Sequence, residues 1–455
     1  MKGIILGMLV MGAGGRVLGA QTASPTTQHP GPITINFDDA ISIALKQNLT
    51  IKQAQNQADL SSASVTQAKM SFLPDLQLRV NNGIDVGRNF SQTEGRIVEQ
   101  TSNSMSTGVS SGVTLFDGFR NAANLNAAKA SESASEQDLA RARQTVVFTV
   151  SSNFLALVAQ REQLRVQQEN LKAQEMQQEQ IATYVKVGSR PVSDLYQQQA
   201  ATAAAMASVV EAQRALDLAK VDLIQTLQLD PAAEYDFVAP RIDDASAANL
   251  TFDLAALVDR ALKNRSDLEA QELRLEAADE SARAAGASKW PSISLSAGYN
   301  TAYNSATDIP LADQLNERRG GSIGIGVSIP LFDRGATNVA EQRAHIQEEN
   351  ARLQLQQQRQ QVSLDIRRAY LDYKAAQERL KAATAQKTAA DAAVEATQAR
   401  YRVGAATLVE VTQSRAQQVQ AASAQVNARY NLVFQDALMS YYTGTLEPGN
   451  LNIGN

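Results

Sequence analysis

Two stretches of the chain, residues 120–185 and 336–403, contain neither proline nor glycine. At about 1.5 Å of rise per residue, a helix over either stretch runs for roughly 100 Å, about three times the apolar thickness of a bilayer. A helix of that length needs support along its whole flank. The support is written as two rows with a seven-residue step, Val362, Ala369, Ala376, Ala383, Ala390 and Thr397 beside Ile366, Tyr373, Leu380, Lys387, Val394 and Tyr401. In the earlier stretch Val150, Leu157, Leu164 and Leu171 hold the place of the second row, and Val146, Asn153, Gln160, Gln167 and Gln174 that of the first. Alanine and glutamine make a poor two-stranded core. They suit helices packed side by side around a wet interior, each touching two neighbours.

The two stretches belong to a tandem duplication with a period of roughly 216 residues, too long for the units of a solenoid. Ala44 in "ALKQN" precedes Pro74 in "FLPDLQL" by 30 residues, and Ala261 in "ALKN" precedes Pro291 in "KWPSISL" by 30. Phe116 in "LFDGFRN" and Phe332 in "LFDRGAT" each stand 71 residues before the valine of a Val-Gly pair. The expected organisation is a signal peptide at 1–20, a linker at 21–36, repeat 1 at 37–229, a linker at 230–251, repeat 2 at 252–443 and a tail at 444–455. The signal rests on Lys2, the short apolar run after it and the small residue Ala20.

Each repeat also carries a β-hairpin pattern, at about 74–116 and 291–332. Leu76, Leu78, Val80, Ile84 and Val86 alternate with Gln77, Arg79, Asn81, Gly83 and Asp85. Ile293, Leu295, Ala297 and Tyr299 oppose serines and Gly298; Ile323, Ile325, Val327 and Ile329 oppose Gly324, Gly326 and Ser328. Period-two alternation gives each strand one apolar and one small or polar face. A soluble sandwich shows the same pattern. Two hairpins per chain supply four strands, and the smallest membrane barrels need about eight, so a barrel requires several chains. Strands of about 9 to 11 residues suit a tilted crossing. Phe72, Phe116, Trp290 and Phe332 stand at the helix-facing ends, where an aromatic girdle would lie, and loops around 88–101 and 304–318 would face outward.

Composition removes several function classes. The net charge of −5 gives no electrostatic case for nucleic acid. There is no cysteine, and the only histidines are His29 and His345, so cysteine catalysis and a His/Cys zinc cluster are excluded. No triad or phosphate loop is visible, and neither an enzyme nor a cofactor is expected. Nothing after the signal is apolar enough for a membrane-spanning helix.

The duplication, the paired strand-entering and strand-leaving motifs, and the turns "YVKVGSRPVSDL" at 184–195 and "YRVGAATLVEV" at 401–411 together resemble the TolC-like outer membrane efflux proteins across the whole mature chain. The resemblance implies a mainly α fold with a small β part, a homotrimer with a 12-stranded β-barrel in outer membrane lipid and a 12-helix periplasmic α-barrel. It implies an exit duct of a tripartite efflux or type I secretion system, fed by a periplasmic adaptor protein and an inner-membrane transporter of RND, ABC or MFS type. The alternative is an adaptor-like coiled-coil scaffold without a channel. By this resemblance Val187, Gly188, Ser189, Val403, Gly404 and Ala405 form the adaptor-contacting tip. Asp194, Tyr401, Glu410 and Gln413 occupy gate positions, with a hydrogen bond from Tyr401 to Asp194 and a ring of three Glu410 carboxylates expected. Both acids could instead stabilise the first turn of a helix. Ala406 stands where better-known members have a locking arginine, and Gln413 where they have a second acid.

Overall fold

The computed structural model describes residues 33–91, 95–238, 252–307 and 309–446. The expected signal, most of both linkers and most of the tail lie outside them. Repeat 1 gives β1 (Ile33–Ile35), α1 (Phe37–Gln47), α2 (Leu49–Met70), β2 (Gln77–Ser91), β3 (Arg96–Phe116), α3 (Arg120–Lys186) and α4 (Val192–Leu227). After β4 (Tyr235–Phe237), repeat 2 gives α5 (Leu254–Asn264), α6 (Ser266–Gly286), β5 (Ser292–Asn304), α7 (Leu311–Glu317), β6 (Gly320–Ser328), α8 (Ala336–Arg402) and α9 (Leu408–Tyr442). No helix among the described residues is long and apolar enough to cross a membrane.

α3 and α8 each run for 67 residues without a break. The shorter helices continue one another beside them. The start of α2 meets the end of α4, where Asn48 Nδ2 donates to Thr226 O at 3.2 Å and Gln47 Nε2 to Leu227 O at 3.1 Å. The end of α9 meets the α5–α6 junction so closely that a Cβ on Gly444, at φ +72°, would lie 2.7 Å from the Asn264 carbonyl. The result is one layer of four helices, ordered α4–α3–α9–α8 towards the tips and α2–α3–α6–α8 towards the sheet, with α4 and α8 at its edges. Along the seam of α8, Val362, Ile366, Ala369, Tyr373, Ala376 and Ala383 are buried, as the seven-residue rows require.

The four long strands form one antiparallel sheet, ordered β2–β3–β5–β6. Register puts the apolar alternations together: Leu78 faces Val109, Val109 faces Tyr299, Val113 faces Leu295, and Leu295 faces Ile325. One face is therefore apolar across all four strands, and Leu78, Val86, Ile323 and Ile325 lie open on it. β6, at 9 residues, has the expected crossing length, whereas β2, β3 and β5 are longer, at 15, 21 and 13. Residues 88–91 and 96–101, expected in a loop, extend the β2–β3 ladder, their backbones pairing as far as Ser91 and Arg96. The 304–318 loop contains α7, pinned by the buried Gln314, which accepts from Asn304 N and donates to Ile309 O.

Both strand-leaving motifs are helix caps. Asp117 accepts from Asn121 N at 3.1 Å, and Asp333 accepts from Gly335 N and Thr337 N at 3.0 and 2.7 Å. Each turn needs two consecutive left-handed residues, Gly118 and Phe119 in one, Arg334 and Gly335 in the other. Glycine takes the first place in repeat 1 because a Cβ there would meet Ala287 O at 2.5 Å and Trp290 Cβ at 2.7 Å.

The segments read as linkers are partly structured. β1 and β4 pair in parallel beside the main core, where Phe154 packs between Phe37 and Phe237 at 5.3 and 6.3 Å. Three-residue strands are too short to show a period. At the α5–α6 junction, Arg265 is buried and holds Asp267 through Nε at 2.9 Å, with Asp365 at 3.7 Å and Arg141 approaching Asp267 at 3.9 Å. α3, α6 and α8 are thus tied by charge at the level where the short helices abut.

Asp436 on α9 has no such partner among the described residues, and burial pushes its carboxyl up from the usual range. Nearby Tyr373 is pushed up to about 12, first by burial and then by the Asp436 charge. A carboxyl raised on folding costs nothing below its unfolded value near 3.9, and destabilises increasingly as pH rises through the folded value. Asp436→Asn is therefore expected to raise the thermal midpoint at neutral pH and to leave it little changed near pH 4. Parallel pH profiles for the two proteins would contradict this.

Candidate functional site

The far end of the helical layer is built from the α3–α4 and α8–α9 turns. Both helices end in the same left-handed glycine cap. Ser189 N donates to Tyr184 O at 2.9 Å and Gly188 N to Val185 O at 3.0 Å; Ala405 N donates to Arg400 O at 2.8 Å and Gly404 N to Tyr401 O at 3.0 Å. Gly188 and Gly404 sit at φ +74° and +79°. The carbonyls are satisfied within each turn, so the valines before the glycines are free to point out. Val187 is 70% and Val403 80% exposed. All six residues expected at the tip lie on these two turns.

The turns are joined by a small apolar core of Ile181, Tyr401, Ala406, Leu408 and Val411, with Val185 and Leu195 against it. Ala406 is buried there as a packing residue. A contact between the two hairpins that sequence reading missed lies beside it. Arg190 stacks 4.4 Å over the Tyr401 ring and donates to Tyr401 O at 2.9 Å, so one hairpin grips the other. Only its place beside Pro191 and the paired tyrosine could have suggested this.

The expected hydrogen bond between Tyr401 and Asp194 is not made within the protomer. The Tyr401 hydroxyl is buried with no hydrogen-bond partner among the described residues. With Arg190 on one face and the tip core around it, the ring is held where no acceptor reaches its oxygen. Burial pushes the Tyr401 hydroxyl up, Arg190 opposes this, and the Asp194 charge adds to it. Asp194 therefore meets Tyr401 through its field only. It lies in the first turn of α4.

Glu410 is the third residue of a capping box. Its carboxylate accepts from Thr407 N at 3.2 Å and Thr407 Oγ1 at 3.1 Å, while Thr407 Oγ1 accepts from Glu410 N at 3.2 Å. The T-x-x-E spacing of "TLVE" is the sequence signal for this arrangement. Arg400 stands 3.6 Å away. The Thr407 backbone and hydroxyl bonds, and then the Arg400 charge, hold the carboxyl below its usual range. Gln413, one turn further along α9, is exposed. Within one chain these residues form a capped helix start, and a ring of Glu410 carboxylates requires further copies.

At the opposite end, Phe72, Trp290 and Phe332 are exposed at the foot of the sheet. Phe116 is half-buried and packs edge-on against Phe119 at 5.4 Å. A register shift after Thr114 brings Phe116 opposite Ile293, on the apolar face. Phe119 and Leu331 are also exposed there and were not anticipated.

The sequence profile of the Outer membrane efflux protein family matches residues 40–227 and 257–443, one segment in each repeat. The outer membrane protein TolC of Vibrio cholerae is 23% identical over 391 residues, covering 86% of each protein. The crystal structure of VceC, an outer membrane protein of Vibrio cholerae, is similar with a TM-score of 0.76 at 19% identity, over 90% of this chain and 96% of that one. That of the Campylobacter jejuni CmeC outer membrane channel gives 0.77 at 17%, over 91% and 87%. At these identities the solved structures speak for the fold, and it is the profile, matched in both repeats, that places the chain in the outer membrane efflux protein family, as an efflux channel of the outer membrane with a periplasmic extension.

Proposed function

We propose that three copies of this chain close their sheets into one twelve-stranded barrel and their helical layers into one twelve-helix tunnel. The assembly passively conducts substrates, delivered by a periplasmic adaptor and an inner-membrane transporter, to the outside. The observation that carries this reading is the four-stranded sheet, apolar on one face across every strand and unpaired at β2 and β6. Open edges in a bilayer are unsatisfied backbone, which only closure removes. The helical layer has matching needs: Tyr196, Met206 and Val210 on α4, and Leu353, Leu364 and Leu371 on α8, are exposed at its two edges. In planar bilayers the purified protein should form discrete conducting channels; a protein that inserts without conducting would count against the duct.

In this reading the tips receive the adaptor. A Cβ on Gly188 or Gly404 meets nothing within 4 Å, so a valine there costs only the left-handed backbone, about 1–2 kcal/mol. Gly188→Val and Gly404→Val are expected to distort the exposed turns and reduce cross-linking to the adaptor, while the protein remains in the outer membrane fraction. Undiminished cross-linking in both would remove the tip assignment.

Asp194, Tyr401, Glu410 and Gln413 would then line the narrow end, Arg190 holding the two hairpins of each chain together. Glutamine serves a capping box as well as glutamate does, so Glu410→Gln keeps the helix start and removes charge alone. Three carboxylates at a constriction favour cations. The variant is expected to show lower cation preference and weaker block by divalent ions at unchanged trimer yield. Equal selectivity and block would leave Glu410 a capping residue only.

A further inference from the structure

α3, α8 and α9 enclose a cleft of about 710 Å³ on the tipward side of the β1–β4 pair. Most of its charges are matched. Lys387 holds Asp391 at 2.7 Å, Asp391 also accepts from Gln418 at 2.8 Å, and Arg165 is held by Glu162 and Glu169 at 2.6 and 3.5 Å. Two groups are not. Arg415, half-buried on α9, has no ion pair or hydrogen bond among the described residues, and burial pushes its guanidinium down from the usual range. Across from it on α3, the Asn170 Oδ1 atom is buried without a hydrogen-bond partner among the described residues. Leu380, Val419 and Val426 supply apolar wall between them.

An orphaned buried acceptor is unfavourable until a donor reaches it, and a guanidinium fork is shaped for a carboxylate. A cleft of several hundred Å³ with apolar wall and a few convergent polar groups is the usual form of a small-molecule site. We propose that this cleft binds an organic carboxylic acid with an apolar body and a hydrogen-bond donor, its carboxylate on Arg415 and its donor on Asn170. Glu162, Glu169 and Asp391 around the rim disfavour a doubly charged group such as phosphate, whereas one free guanidinium suits one negative charge. Every residue involved lies in a single chain, so the site stands independently of the duct reading. A bound acid would brace α3 against α9 between the tip core and the main core.

The test is isothermal titration calorimetry of the full-length detergent-solubilised protein with 4-hydroxyphenylacetate, which has the carboxylate, an apolar ring and a distal donor. Saturable binding at one site per chain is expected. 4-Hydroxyphenylacetamide, which lacks the charge, should bind at least about tenfold more weakly, and phenylacetate, which lacks the donor, more weakly than the hydroxy acid. Arg415→Gln should weaken the hydroxy acid by about tenfold or more at an unchanged thermal midpoint. Asn170→Leu should abolish the preference for the hydroxy acid over phenylacetate. Absence of saturable binding at millimolar probe, or equal affinity in wild type and Arg415→Gln, would overturn the proposal.

Discussion

Arg265→Met is expected to destabilise the folded chain by about 3–5 kcal/mol and to lower its thermal midpoint in detergent by several degrees. Arg265 is 5% exposed, and Asp267 and Asp365 beside it are 22% and 17% exposed. Methionine fills much of the same volume, so what changes is that two part-buried carboxylates lose their cation. Arg141 remains near Asp267, but it also caps the ring of Tyr441 at 4.0 Å and gives a hydrogen bond to the Tyr441 carbonyl. Burial raises the Asp267 carboxyl, yet the Arg265 hydrogen bond and charge, with help from Arg141, more than offset this and hold it below its usual range. A carboxyl lowered on folding stabilises above its unfolded value and loses that contribution as pH falls through the folded value. The gap between wild type and Arg265→Met should therefore be widest near neutrality and should narrow on acidification below about pH 4. Adding Asp267→Asn should recover part of the loss. A variant as stable as wild type at neutral pH would show that water, not Arg265, satisfies these acids.

Leu295→Arg is the second large effect. Leu295 lies on a central strand, on the face shared with Val113 and Ile325. A charge on the lipid face of a membrane barrel costs about 2–4 kcal/mol at mid-depth and about 0–1 kcal/mol near the interface, and Leu295, two residues beyond the Ile293–Phe116 pair, lies between the two. Ser296, the next residue, lies on the other face beside Gly112 and Gly324. Ser296→Arg places the same side chain where water is expected, and should assemble normally. The comparison is read as the fraction of each protein recovered folded from the outer membrane. Equal recovery of the two variants would mean that the apolar face does not meet lipid.

What could be read from the sequence was whatever repeats. Helix α8 shows its seam because Val362, Ala369 and Ala376 recur at one spacing over many turns. The sheet shows its faces because alternation persists through Ile293, Leu295 and Ala297. Where few residues carry the information, the reading failed. β1 and β4 are three residues each and are fixed by packing around Phe154. The bulge after Thr114 is a backbone event that leaves no mark in the residue pattern. At the tips, the glycine caps were legible because glycine takes the left-handed position without the steric cost of a Cβ. The partners of Tyr401 were not, since Arg190 is separated from it by more than two hundred residues and the contact depends on how two hairpins pack. The capping role of Glu410 was legible in "TLVE", although the family resemblance drew the reading towards a gate.

A protomer with two open sheet edges and two apolar helical edges is expected to exist as a closed assembly of three. The direct measurement is the protein mass of the purified species in mild detergent, by light scattering with the detergent contribution subtracted. A single species of three chains is expected, each at most the 48.9 kDa of the full sequence, with little dependence on protein concentration. A monodisperse species of one chain would contradict it.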